Sequence, residues 1–297
     1  MANFLDAYSI QNWLESAPQG YLEGTQYGHQ PGESEPELLM ENEILRQDAI
    51  RGAVQLVVGE RAALAASSGL INIAPDHPSK RFLATQTLDE ARHVEIFSQR
   101  LLDLGVKKKD FESTIEEHAS PDLVNFAEVL LEKVDKGDFL AGVVGQNIVL
   151  EGLAFTVFEF MEATNRHFNP KFAHTLEGTI ADERRHVGFG ENRIGSLIKD
   201  QPERRDDIQE MQKEMTGHML RVFQPQEGDQ ETQIEAQRVL QKAREARGRP
   251  DEPVLFQGQD LRNLDPETTT KLLTGSILGE FKVRLGRIGL EYQDPTS

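Results

Sequence analysis

Two short stretches carry one pattern. Residues 88–94 read LDEARHV and residues 181–190 read ADERRHVGFG, so Asp-Glu-x-Arg-His occurs at 89–93 and again at 182–186. On an α-helix, residues three apart share a face with their Cβ atoms about 5 to 6 Å apart, so Glu90 with His93 and Glu183 with His186 can each grip one cation. A single Glu-x-x-His is weak, because an acidic chain produces one by chance; two copies of the longer form are a strong signal. Two more glutamates stand in apolar runs, Glu60 in VVGERAAL and Glu151 in IVLEGLAF. An unpaired charge buried there would be expensive, which argues against two salt-bridged faces exposed to water.

The spacing brings these residues together. Glu60 and Glu90 are 30 residues apart with their midpoint at Pro75, inside the break APDHP; Glu151 and Glu183 are 32 apart with their midpoint at His167, inside ATNRHFNP. Two antiparallel helical hairpins would level each pair, and each hairpin would offer one lone Glu and one Glu-x-x-His. Four carboxylates and two imidazoles match the ligand set of two iron or manganese ions in a four-helix bundle. Four negative charges also neutralise two divalent cations, which removes most of the cost of burying them. Asp89 and Asp182 can accept the outer N–H of a metal-bound His, with Arg92 and Arg185 either balancing them or lying on solvated faces.

The elements that must position this set are helical. Apolar residues recur at helical spacing over 36–70, 79–104, 139–164 and 170–199, with shorter patterns over 121–134, 202–223 and 230–247 and a last helix starting at 265–267. Residues 1–34 read as an irregular arm with a short helix around Trp13, and 248–266 as a surface loop; no stretch reads as a sheet. The expected division is an arm (1–34), a bundle (35–200) and a helical extension packed on it (201–297).

Composition narrows the chemistry. The formal net charge is −18 over 297 residues, which argues against a nucleic-acid groove or an anionic membrane surface. There is no cysteine, so thiol nucleophiles, disulfides and cysteine-ligated clusters are excluded and any metal must use His and carboxylates. With no basic-then-apolar leader and no run of roughly 20 apolar residues, the expectation is a soluble cytoplasmic protein that binds neither nucleic acid nor membrane.

Residues 35–200 resemble the ferritin-like superfamily of carboxylate-bridged di-iron proteins. The doubled Asp-Glu-x-Arg-His is similar to that of di-iron hydroxylases and acyl-carrier-protein desaturases, and DERRHVGFG to the fourth core helix of ligand-binding oxidases related to the ribonucleotide reductase small subunit. The resemblance implies an all-α fold with a ferritin-like four-helix bundle core and additional helices. It further implies two iron ions, or manganese with iron, held by Glu60, Glu90, His93, Glu151, Glu183 and His186. The implied activity is O2-dependent oxidation of a small organic substrate, by C–H hydroxylation or amine N-oxygenation. An electron donor (a ferredoxin or reductase) and a homodimer go with it.

Departures qualify the likeness. The position of a radical-bearing Tyr, one turn after the first motif His, is Phe97; the four Tyr are at 8, 21, 27 and 292, outside the core helices. This counts against a radical-generating reductase subunit, and the roughly 100 residues after Lys199 count against a storage cage. A Thr that hydroxylases carry four residues after the third-helix Glu is Phe155, and a seventh-ligand His of N-oxygenases is Thr179. Related bundles place substrate beside the Phe97 position, so Ile96, Phe97, Phe155, Thr179 and Ile180 are the expected wall, with Gln86, Thr87 and Asn147 flanking the metals on the other side. His167, His174, His218 and Glu159 are read as surface residues.

Overall fold

The computed structural model describes residues 32–223, six positions between 234 and 242, and 252–294. Trp13, Tyr8, Tyr21, Tyr27 and most of the arm and of the helix expected over 230–247 lie outside the described residues. The main elements are α1 (Glu37–Glu41), α2 (Glu43–Ile73), α3 (His77–Asp103), α4 (Phe111–His118), α5 (Pro121–Asp135), α6 (Phe139–Asn165), α7 (Pro170–Asp200), α8 (Arg205–Val222) and α9 (Pro266–Arg287).

Helix boundaries follow local chemistry. Asn42, Asp76, Ser120, Asp138, Asn169 and Asp265 each accept a backbone N–H two or three positions into the helix they start, which satisfies a donor that the first turn leaves unpaired. Pro at the first or second position of α3, α5, α7 and α9 needs no such partner. Asn42 splits the pattern over 36–70 into α1 and α2.

Helices α2, α3, α6 and α7 form the bundle, as the pairs α2/α3 and α6/α7. Helix α8 packs on α5 and on the middle of α6, and α9 packs along α6. Two apolar clusters lie at opposite ends of the bundle. One contains Ala63, Leu70, Leu83, Val149, Leu153 and Ile194; the other contains Val54, Val57, Ile96, Phe97, Phe158 and Leu176. Along α2, α3 and α7 the sequence passes from one cluster to the other through the positions of Glu60, Glu90 and Glu183, and along α6 it does so between Leu153 and Phe158, just past Glu151. The polar set is therefore a single layer between two apolar ones.

Three features depart from expectation. Residues 111–118 form a helix too short to show a period. Leu255–Phe256 and Gln259–Asp260 pair as a two-stranded antiparallel hairpin, turned by Gln257 and Gly258 at φ 47° and 75°, the left-handed pair that a tight hairpin of this kind requires. Helices Glu43–Ile73 and Phe139–Asn165 are long and apolar enough to cross a bilayer by length and composition, and 83% of the apolar stretch of the second is buried inside the fold. The central helix of a bundle is apolar on all sides for that reason.

Helix α6 is not uniform: Val144–Leu150 is π-helical. Its widened turn presses on α7 at Gly190, where a Cβ would lie 2.6 Å from Asn147 Cβ and 3.1 Å from Ile148 Cδ1. Gly190→Ala is therefore expected to cost about 1–3 kcal/mol by overpacking. Gly188→Ala, with nothing within 4 Å of the added carbon, should be neutral or stabilising by up to about 1 kcal/mol. Urea unfolding of the two variants checks the contrast.

Candidate metal centre

Six side chains meet in the middle layer. Ligand atoms of Glu60, Glu90, His93 and Glu183 lie within 4.8 Å of one another, as do those of Glu90, Glu151 and His186. All six residues are at most 5% exposed. The levelling expected from the hairpin midpoints is what the turns at Ala74–Asp76 and Arg166–Asn169 produce.

The set has two halves joined by shared carboxylates. His93 Nδ1 lies 3.4 Å from Glu60 Oε2, 3.4 Å from Glu90 Oε2 and 3.5 Å from Glu183 Oε1. His186 Nδ1 lies 3.3 Å from Glu90 Oε1, 3.6 Å from Glu183 Oε2 and 3.8 Å from Glu151 Oε1. Glu90 and Glu183 thus turn one oxygen to each imidazole, while Glu60 and Glu151 each serve one half. Both Nδ1 atoms, Glu90 Oε2 and Glu183 Oε2 are buried without a hydrogen-bond partner. Native proteins rarely leave such atoms unpaired, and four of them converging on one space fit two cations shared by bridging carboxylates.

The outer nitrogens cross between the motifs. His93 Nε2 lies 3.1 Å from Asp182 Oδ2 and His186 Nε2 lies 3.2 Å from Asp89 Oδ2, so each Asp supports the His of the other hairpin. Arg185 donates to both acids, at 2.9 Å to Asp89 and 2.7 Å to Asp182, and Arg92 pairs with Asp182. The arginines balance the acids, the first of the two roles considered for them. Phe82 meets the His186 ring edge-on and stacks at 4.2 Å on Phe189.

A third group surrounds Glu151. Gln86 donates to Glu151 Oε1 at 2.6 Å, Gln146 to the same oxygen at 3.2 Å, and Asn147 to Oε2 at 3.0 Å. Gln86 and Asn147 were placed here by helical spacing. Gln146 was not, because five residues before Glu151 is off-face in an α-helix; the π-helical turn brings it round. The readable signal was a polar pair, Gln146-Asn147, inside the apolar run VVGQNIVL. Thr87 instead donates to Leu83 O and Ser67, away from the layer.

The residues of the expected substrate wall are distributed more widely. Ile96 and Phe97 face a pinched hollow of about 10 Å³ shared with Glu35, Arg100, Lys171 and Phe172, and Phe97 stacks on Phe158 at 6.3 Å. Ile180 lines a separate cleft of about 490 Å³ together with Glu159, Arg166, Arg184 and Phe256. Phe155 lies under the guanidinium groups of Arg284 and Arg184, and Thr179 donates to Thr175 O within its own helix. His167 pairs with Glu252, and His218 contacts Asn125 and Arg221. With His174 and Glu159 they stand outside the metal-ligating groups among the described residues.

Without cations, the layer balances its charge with protons. Burial pushes the Glu60 carboxyl up to about 8, and burial with the charge of Glu183 holds Glu151 well above the carboxylate range. Burial opposes the charged form of His93, but the carboxylates of Glu60 and Glu90 outweigh it and push it up to about 9. Against the same opposition, the hydrogen bond to Asp89 and the nearby carboxylates of Glu183 and Glu151 push His186 up to about 12.

Neither a family model nor a curated relative matches the sequence. Solved structures do. This chain is similar to a Synechococcus protein with aldehyde deformylating oxidase activity, at 14% identity over 86% of this chain and 96% of that one, with a TM-score of 0.61. It is also similar to variants of an R2-like ligand-binding oxidase with a reconstituted Mn/Fe cofactor. One is 15% identical over 84% of this chain and 82% of that one, with a TM-score of 0.63; another is 16% identical over the same shares, with a TM-score of 0.60. The fold is that of the ferritin-like helical bundle proteins, and its buried carboxylates and imidazoles can hold two metal ions.

Metal loading near pH 7 should release roughly two to four protons per chain, with affinity rising as pH rises; calorimetry in buffers of different ionisation heat measures this. The folded pKa values of Glu60, His93 and His186 all lie above those of the unfolded chain, so the metal-free fold binds the more protons. Its stability should therefore fall as pH climbs from about 5 to 9, seen as a falling melting temperature that bound metal flattens. Asp182→Asn should weaken metal binding about 10 to 100-fold through His93, and Asp89→Asn should do so through His186.

Proposed function

We propose that the protein is an O2-activating non-haem oxidase or oxygenase, using a di-iron or manganese–iron pair to hydroxylate a C–H bond or oxygenate an amine nitrogen of a small organic substrate. The observation that carries this reading is the pair of shared carboxylates: Glu90 and Glu183 each present one oxygen to the His93 half and one to the His186 half. In this reading Glu60, Glu90, His93 and Glu183 would hold one ion, and Glu90, Glu151, Glu183 and His186 the other. Oxygen donors with one imidazole per ion suit iron and manganese. Such a pair, when bound and reduced, would supply electrons for the reduction of O2 beside a bound molecule.

The chain's own contribution is placement. Asp182 and Asp89 hold the two imidazoles with Nδ1 inward, and Arg185 and Arg92 pair with those acids. Two apolar clusters exclude water above and below. A substrate side made by Ile96, Phe97, Phe155, Thr179 and Ile180 would require these side chains to rearrange on binding, since Ile96 and Phe97 border a hollow of about 10 Å³ and Ile180 a separate cleft. With no cysteine for an iron–sulfur cluster of its own, the chain would take its electrons from a separate donor, a ferredoxin or reductase. A cytoplasmic homodimer completes the proposal. The names of similar structures, an aldehyde deformylating oxidase and R2-like ligand-binding oxidases, support an oxidase without supplying a substrate.

Anaerobic Fe(II) loading should give about two ions per chain, and the loaded protein should consume O2. Glu183→Ala should lose at least one ion and abolish that consumption while leaving the helical circular dichroism unchanged. A fully loaded wild type that leaves dissolved O2 untouched, with excess reductant present, would refute the oxidase reading.

A further inference from the structure

The two halves of the layer are alike in sequence and unlike in surroundings. Glu151 accepts from three buried amides, those of Gln86, Gln146 and Asn147, each 0% exposed. Two of the three donate to Oε1, the oxygen 3.8 Å from His186 Nδ1. A carboxylate oxygen has two lone pairs, so the atom best placed to hold a cation with His186 has both engaged.

The corresponding positions of the other hairpin carry no such donors. The counterpart of Asn147, four residues before the lone Glu, is Leu56. That of Gln146, five before, is Gln55, and its amide turns away to the carbonyl of His118 while its oxygen accepts from the Ser120 backbone. The counterpart of Gln86, four before the motif Glu, is Thr179, which donates within its own helix. Around Glu60 the close partner is His93 Nδ1, at 3.4 Å, itself a member of the metal-ligating group. The π-helical turn adds to the difference: it lets both Gln146 and Asn147 face Glu151, whereas α2 is regular through residues 55–60.

We propose that Gln86, Gln146 and Asn147 make the two metal positions unequal, holding Glu151 as a hydrogen-bonded carboxylate so that the Glu60 half fills first and the Glu151 half second. The inference rests on reading the layer as a two-metal site. A cation entering the first position meets four converging ligands, Glu60, Glu90, His93 and Glu183. One entering the second must take Glu151 Oε1 from at least one amide, or swing the carboxylate to offer Oε2, which Asn147 holds. The amides are positioning residues for Glu151. The same amides have further partners, Gln146 the Ala63 carbonyl, Asn147 the Gln86 oxygen and the His186 carbonyl, and Gln86 the Oε1 of Glu90, so they are fixed in place around Glu151.

The test uses the full chain, metal-free, titrated anaerobically with Mn(II) and followed by electron paramagnetic resonance and calorimetry. The first equivalent should give the spectrum of an isolated Mn(II), with the exchange-coupled pair growing only with the second and the two affinities differing by about 10-fold or more. Glu151→Gln should remove the second ion and leave the affinity of the first unchanged. Gln146→Leu should narrow the gap by strengthening the second step alone, and Gln86→Leu, which also frees Glu90 Oε1, should strengthen the second step more than the first, with the melting temperature of the metal-free variants confirming that they fold. A coupled spectrum from the first addition, with both ions bound at one affinity, overturns the inference in the wild type alone. So does a gap that is unchanged or wider in the folded variants, or a first ion lost with Glu151→Gln. Two equally tight ions would leave the proposed oxidase standing; binding of no Mn(II) would remove the metal site itself.

Discussion

Four carboxylates and two imidazoles sit in the middle of a helical bundle, out of contact with water, and the fold is arranged around that charge. Each group is too costly to bury alone. Together they are tolerable only if something positive is shared among them, protons in the metal-free chain or two cations in the loaded one. The turns at Ala74–Asp76 and Arg166–Asn169 set all four helices so that the groups meet at one level. The apolar clusters on either side keep water from relieving the charge. The crossed Asp–His pairs and the arginines behind them carry the balance outward, ending at Arg185, whose side chain is 55% exposed.

The crossing also ties the two hairpins to each other. If each Asp supported the His of its own helix, the hairpins would be joined only through the shared carboxylates. Asp182 instead holds His93 and Asp89 holds His186, with Arg185 spanning both acids. Orientation of one half therefore depends on the position of the other.

Much of this was legible in the sequence, and for physical reasons. The starts at Pro121, Pro170 and Pro266 are written in Ser120, Asn169 and Asp265, because a capping side chain and a following Pro act locally, whereas Asn42, with no Pro after it, divides a pattern that reads as one helix. That these six side chains converge is legible because helical spacing and two hairpin midpoints leave little freedom. What was not legible depends on tertiary packing. Gln146 enters only because Val144–Leu150 widens into a π-helical turn, which no periodicity of 3.6 anticipates. The direction of the Asp–His pairing depends on how α3 and α7 face each other. Ile96 and Phe97 on one hollow and Ile180 on another share a helical register with the ligands, yet packing by Phe158, Arg184 and Arg284 decides which space each one borders.

Likeness at 14–16% identity carries the bundle and not the reaction, so the question that underlies every other is whether the buried layer holds two ions. Crystals of the Fe(II)-loaded protein measured on either side of the iron absorption edge answer it directly. The expected result is two anomalous peaks per chain between His93 and His186, whose ring centres are 6.4 Å apart, each within bonding distance of one Nδ1 and both touching Glu90 and Glu183. A single peak, or peaks lying outside this layer while the six side chains keep their present positions, would contradict it.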